Sequence, residues 1–256
     1  MPSFLRTGLA LARIAYLGPE PDRWRGSSEY ALNNAQSPDH FIDLERIQGL
    51  GDIPRGRYEF YRLLYDKRAI TKTNPDDYLP EHVGLQPYIT IEIFERLETA
   101  FREYRKLAQA AQPTDPVEQA IIFYAGWLGH YVADGSQPLH TTINYDGWVA
   151  GNPHGFTIAH GIHRRFESDF VSRDITATDF ASLVGSPHKL ADPFGEYLHY
   201  LGVSHALVER VYELDKLKAF NGAGAPDALK FTQERLAASS QMLLDLWYTA
   251  WLQSAE

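Results

Sequence analysis

Two runs of sequence decide how this chain reads: GHYVADGSQPLH at 129–140 and HGIHRRFE at 160–167. In the first, His130, Asp134 and His140 are spaced H-x3-D-x5-H; in the second, His163 and Glu167 are spaced H-x3-E. Residues four apart on a helix share a face, so each pair can hold one cation together. Pro138 ends the first helix just before His140, which lets His140 turn back toward the pair. Five nitrogen and oxygen donors with no sulfur among them suit zinc or a similar divalent metal.

The helix carrying the first run has a clear start. Asp115 reads as its cap, Pro116 as its first position and Glu118 as the reciprocal capping residue. From there AIIFYAGWLGHYVAD is apolar almost all round, the pattern of a buried helix. A carboxylate at the end of a buried helix is costly unless it is paired or binds a metal, and this favours a ligand role for Asp134 over a bland one. Between the two runs, residues 141–162 form a long glycine-rich loop expected to expose Tyr145, Trp148 and Phe156. Loops of this length without structure are often functional. A helix over 163–171 follows, with Arg164 and Arg165 expected to face solvent.

Farther out, the apolar spacing predicts helices over 3–16, 57–70, 86–111, 176–184, 192–219 and 226–254, so the chain reads as one all-α domain spanning 1–256. Its charged faces and its Leu/Met/Trp stripe near the C-terminus read as solvated surface and core. Taken locally, Asp22 is a surface cap residue. His40 is an ordinary histidine beside Phe41, between an extended Ser37-Pro38 entry and an apolar run, and His82 is a loop histidine.

Composition removes several classes. A net charge of -9 gives no global basic field to attract nucleic acid or anionic membrane, although bound divalent cations would add local positive charge. With no cysteine there is neither a disulfide framework nor a thiolate site, so a metal must use His, Asp, Glu or backbone groups. No apolar run reaches membrane-spanning length, and the first residues do not read as a signal peptide.

With these residues in place, the chain resembles the superfamily of zinc-dependent phospholipases C and single-strand-specific nucleases, which are all-α proteins with three clustered zinc ions. The resemblance rests on His130/Asp134, Gln137-Pro138-Leu139-His140 and His163/Glu167. Upstream it rests on the D-x-x-R segment Asp22-Arg23-Trp24-Arg25 and on His40-Phe41-Ile42-Asp43. It covers roughly residues 17–170 and is carried by five segments in the right order.

The resemblance implies that Asp22, His40, His130 and Asp134 hold one zinc. His140, His163 and Glu167 hold a second, and Asp134 reaches toward a third. In the family, that third site is completed by an N-terminal tryptophan and a nearby histidine. Here the chain opens Met-Pro and has no histidine before His40. The expectation is an internal start with these ligands upstream; the alternative is a two-zinc or inactive relative.

The chemistry implied is hydrolysis of a phosphoric ester by metal-activated water, with Arg25 near the phosphate and Asp134 central to activity. By the same resemblance Phe41 stacks on a base and Asp43 bonds its edge. Tyr145 and Trp148 extend that platform or clamp a lipid headgroup. D-x-x-R and H-F-I-D point to a nuclease with 3'-nucleotidase activity acting on single-stranded nucleic acid or nucleotides. Glu167 points to phospholipid and a phospholipase C. A metal-binding scaffold without catalysis is the third reading. The family implies a secreted or periplasmic protein, and no stable protein partner is implied.

Overall fold

The computed structural model describes residues 1–149, 151–222 and 224–255. The N-terminal part comprises α1 (Gly8–Leu17), α2 (Glu20–Arg25), α3 (Tyr30–Gln36) and α4 (Leu44–Ile47). Next come α5 (Arg57–Ile70), α6 (Pro80–Val83), α7 (Gln86–Gln109) and α8 (Asp115–Ser136). After the long loop follow α9 (Ile162–Arg164), a π-helical turn (Arg165–Phe170), α10 (Val171–Asp174), α11 (Pro193–His205), α12 (Val208–Lys216) and α13 (Pro226–Gln253). No strand forms among the described residues, and none of their helices is long and apolar enough to cross a membrane.

α8 is central because it is apolar on nearly every face. It packs against α1, α7, α11 and α13, and buries Ile121, Ile122, Ala125, Leu128, Tyr131 and Val132. Each large aliphatic side chain so buried stabilises the fold by about 1.5–3 kcal/mol. α11 comes close enough for Tyr197 Oη to donate to the Tyr131 carbonyl (3.0 Å) and Tyr200 Oη to the Val132 carbonyl (2.7 Å). Gly135 permits this approach, since a Cβ there would lie 2.6 Å from Tyr197 Oη.

Two apolar clusters divide the interior. The larger joins α5, α7, α8 and α11 through residues such as Phe60, Phe101, Tyr131 and Tyr197. The smaller gathers Leu139, Phe156, Ile162, Phe170, Tyr212 and Phe220 beneath the long loop. The end of α8 and the 3-10 turn Pro138–Thr141 run from one to the other, which puts the candidate ligands at the seam.

Several sequence expectations change. α8 begins at Asp115, but its cap is Thr114, whose Oγ1 donates to Glu118 (2.8 Å). Ser37–His40 is a 3-10 turn and not an extended entry, and α2 and α3 form in a stretch where the apolar spacing predicts no helix. The single helix expected over 192–219 breaks between His205 and Val208. α11 buries Phe194, Tyr197 and Leu201 in the larger cluster, whereas α12 buries Val208, Val211 and Tyr212 in the smaller, and one straight helix cannot serve both. The expected helix over 176–184 is two short 3-10 turns. Phe156, expected on the surface, is buried against Trp148 and Tyr212. Arg165 does not face solvent freely, because its guanidinium holds Asp215 of α12 at 2.8 Å.

The segment Pro38–Asp43 is clamped from both sides. Leu85 N donates to the Pro38 carbonyl (2.7 Å), Gln86 N to the Phe41 carbonyl (3.2 Å), and Asp43 N to the Val83 carbonyl (2.7 Å). On the other side, Ile42 N donates to the His140 carbonyl (2.9 Å). Gly84 sits at φ 91°, ψ 158°, a region essentially restricted to glycine, and a Cβ there would lie 2.1 Å from the Phe41 carbonyl oxygen. Gly84→Ala is therefore expected to destabilise the fold by at least about 1–3 kcal/mol, read as a lower urea midpoint. An unchanged midpoint would show that this clamp does not hold the segment.

Candidate metal centre

Local folding rules place most of the candidate ligands. α2 starts after Pro19 with Pro21 in its first turn, and its i,i+3 spacing sets Asp22 Oδ1 3.3 Å from Arg25 Nη2. His40 ends the clamped 3-10 turn and is almost wholly buried. His130 and Asp134 lie one turn apart on α8, with Nε2 and Oδ2 separated by 3.4 Å. His163 and Glu167 lie where α9 runs into the π-helical turn, with Nε2 and Oε2 2.6 Å apart. Such wide turns are frequent at functional sites.

Two groups of donors result. Asp22, His40 and His130 each offer one atom within 4.8 Å of the others, and so do His140, His163 and Glu167. In the first group, His130 Nε2 lies 3.1 Å from His40 Nδ1, and Asp22 Oδ1 lies 3.9 Å from both. In the second, His140 Nε2 lies 3.2 Å from Glu167 Oε2. Asp134 Oδ2 stands between the groups, 3.1 Å from His40 Nδ1 and 3.9 Å from His140 Nδ1. No third group forms among the described residues.

The donor set fits a zinc-like cation. Bonds of about 2.0–2.1 Å to a tetrahedral centre set donor–donor edges of roughly 3.3 Å, in the middle of the spacings seen here. The rings are also held in the tautomers that ligation needs. His140 Nδ1 donates to the His40 carbonyl (2.7 Å) and His163 Nδ1 to the Tyr145 carbonyl (3.2 Å), so each turns its Nε2 inward as the ligating atom. His40 differs: its buried Nε2 has no partner, whereas its Nδ1 faces Asp134 Oδ2 at 3.1 Å and donates to it unless a cation takes that place. Burial lowers the His40 pKa despite Asp134 beside it, which favours the neutral ring.

The surroundings favour the ionised forms of Asp134 and Glu167. Burial opposes this at Asp134, but His130, His140 and His40 outweigh it and lower its pKa. Burial likewise opposes ionisation of Glu167, and His140 and His163 hold its pKa well below the usual range. Burial alone would lower the His140 pKa, yet Asp134 and Glu167 raise it to about 9.

Two supporting roles escaped the sequence reading. Asp146 Oδ1 accepts from Gly161 N (2.6 Å) and His163 N (3.1 Å), fixing the start of α9. Gln137 Nε2 donates to Glu167 Oε2 (3.1 Å), while its Oε1 accepts from Leu139 N (2.6 Å). Asp146 stands one residue before a glycine, but nothing local indicates that it reaches across fifteen residues.

A cleft of about 970 Å³ opens on the centre, lined by Arg25, His40, Phe41, Asp43, Tyr145 and His163 among others. No family model, curated protein or solved structure matches this chain. Phe41, Asp43 and Tyr145 line the cleft, and Trp148 does not. Its ring lies edge-on to Tyr212 at 5.1 Å and against Phe156 at 4.9 Å, and its Nε1 donates to the Gly151 carbonyl (2.9 Å). Trp148, expected as a substrate contact, is instead packed partly against the smaller core.

Protonated His140 cannot ligate, so below pH about 9 a cation must displace its proton, and occupancy by that proton falls as pH rises. Zinc affinity, measured by chelator competition, is expected to rise with pH and level off near pH 9. A flat profile between pH 6 and about 9 would contradict the coupling of His140 to Asp134 and Glu167.

Proposed function

We propose that this protein is a zinc-dependent phosphoric ester hydrolase, acting as a single-strand-specific nuclease with 3'-nucleotidase activity. The observation that carries the reading is that two donor groups, joined by the buried Asp134, open on one cleft that also contains Arg25 and Phe41. Asp22, His40, His130 and Asp134 would hold one zinc, and His140, His163 and Glu167 a second. Bound there, zinc supplies Lewis-acid stabilisation of charge on phosphoryl oxygens and activates water as the nucleophile.

The chain's own residues set the rest. Arg25 lines the cleft beside Asp22, where its guanidinium can hold a phosphoryl oxygen in place. The clamped backbone around Phe41 presents its ring to the cleft as a stacking surface, a sequence-tolerant way to hold an unpaired base. Next to it, Asp43 is fixed by Arg46, whose Nε bonds Oδ2 at 3.0 Å, so Oδ1 is the oxygen offered to a base edge. Burial raises the Asp43 pKa to about 6, with Arg46 opposing, so the acceptor form is fully present only above that pH. The phospholipase C reading is favoured by one residue, Glu167, whose longer carboxylate matches that branch in the resemblance.

Phe41→Ala is expected to weaken turnover of a single-stranded oligonucleotide by about 1–3 kcal/mol in kcat/KM without changing zinc content. Phosphatidylcholine cleavage, assayed in parallel, should be absent in the wild type. Turnover of the lipid with none of the oligonucleotide would instead support the phospholipase reading, and zinc-loaded protein that cleaves neither would support a scaffold.

A further inference from the structure

A second cavity reaches the centre from a different set of residues. It has a volume of about 120 Å³ and is lined by Asp134, Ser136, Gln137, Glu167, Thr232 and Arg235 among others. At roughly 30 Å³ per water this is room for about four waters, or one tetrahedral oxyanion. Arg235 comes from the middle of α13, and its Nε is buried with no hydrogen-bond partner. Among the described residues no carboxylate stands within ion-pair distance of it. The contrast with other arginines is sharp: Arg57, Arg105 and Arg165 all bond side-chain or backbone oxygens.

The remaining polar side chains of this cavity are already committed. Ser136 Oγ donates to the Arg235 carbonyl, Thr232 Oγ1 to the Ala228 carbonyl, and Gln137 Nε2 to Glu167. The uncommitted buried donor is therefore Arg235 Nε, and a buried cationic donor without a partner calls for an acceptor, best an anionic one. Burial lowers the Arg235 pKa, and its neighbours Tyr200 and Glu234 do not restore it, in keeping with a missing counter-charge. Asp134 and Glu167 on the facing wall are engaged by histidines of the two donor groups. Two divalent cations would carry more charge than Asp22, Asp134 and Glu167 together, so a loaded centre would be net positive.

We propose that the Arg235 cavity is a second oxyanion subsite, taking inorganic phosphate or the terminal phosphate of a phosphomonoester between Arg235 and the metal centre. It is separate from the Arg25 cleft, and it rests on the metal-binding reading though not on any hydrolytic activity. A phosphate held there would give Nε the acceptor it lacks and would tie α13 to α8 and to the π-helical turn.

The test is isothermal titration of inorganic phosphate into the zinc-loaded full chain, freed of excess zinc, with metal content measured on the same samples. Arg235→Gln should keep its zinc and lose about tenfold or more in phosphate affinity, the size expected for a charged hydrogen bond. Arg235→Lys keeps the charge and most of the stem but not the fork, and should fall between the two. It carries the test if circular dichroism shows that Arg235→Gln is misfolded. Unchanged phosphate affinity in a folded, zinc-loaded variant overturns the subsite alone. A wild type that takes up no zinc overturns the subsite together with the metal centre.

Discussion

The structure depends on a buried carboxylate. Asp134 ends a helix that is apolar on almost all sides, and removing such a charge from water costs several kcal/mol unless it is compensated. Its compensation comes from three histidines, His40, His130 and His140, which approach it from three parts of the chain. Packing explains why those parts meet. α8 is held at the centre by α1, α7, α11 and α13, and the turn after Pro138 carries the chain from the larger apolar cluster to the smaller. The charge therefore sits where two cores join, and the ligands are drawn from both sides of the seam.

Precision is supplied by the backbone. The segment around His40 has hydrogen bonds to residues 83–86 on one side and to His140 on the other, and His140 Nδ1 returns one to the His40 carbonyl. One strand of chain thereby orients a ligand of each donor group and, through the next residue, the ring of Phe41. Asp146 does the same for His163, so the second group is fixed by a loop carboxylate while the first is fixed by the helical core. Sites held by such supporting bonds need little rearrangement to receive a cation.

How much of this was legible depends on the range of the signal. The i,i+4 pairs His130/Asp134 and His163/Glu167 are local facts and read directly, as does the buried character of α8. The boundaries of α5 are likewise those its periodicity gives. Asp22 and His40 are different: locally they look like a cap and a core histidine. Only a resemblance in ordered motifs links them to His130, which is 90 residues beyond His40 and farther still from Asp22. α2 and α3 were hidden by Pro19, Pro21, Gly26 and two serines, which punctuate the sequence without preventing short helices. The break between α11 and α12, and the packing of Trp148, follow from which core each side chain joins, and no local pattern records that choice. Arg235 left no local signal either, because its meaning lies in what does not bond to it.

The central claim is that residues from α2, the clamped turn, α8 and α9 form two adjoining cation sites. Zinc titration of the full chain with metal analysis after dialysis tests it most directly, repeated on His130→Ala and His163→Ala. The account predicts two equivalents per chain in the wild type, with each substitution weakening a different one and leaving the fold intact. Zinc uptake that is absent, or that neither substitution alters, would contradict it.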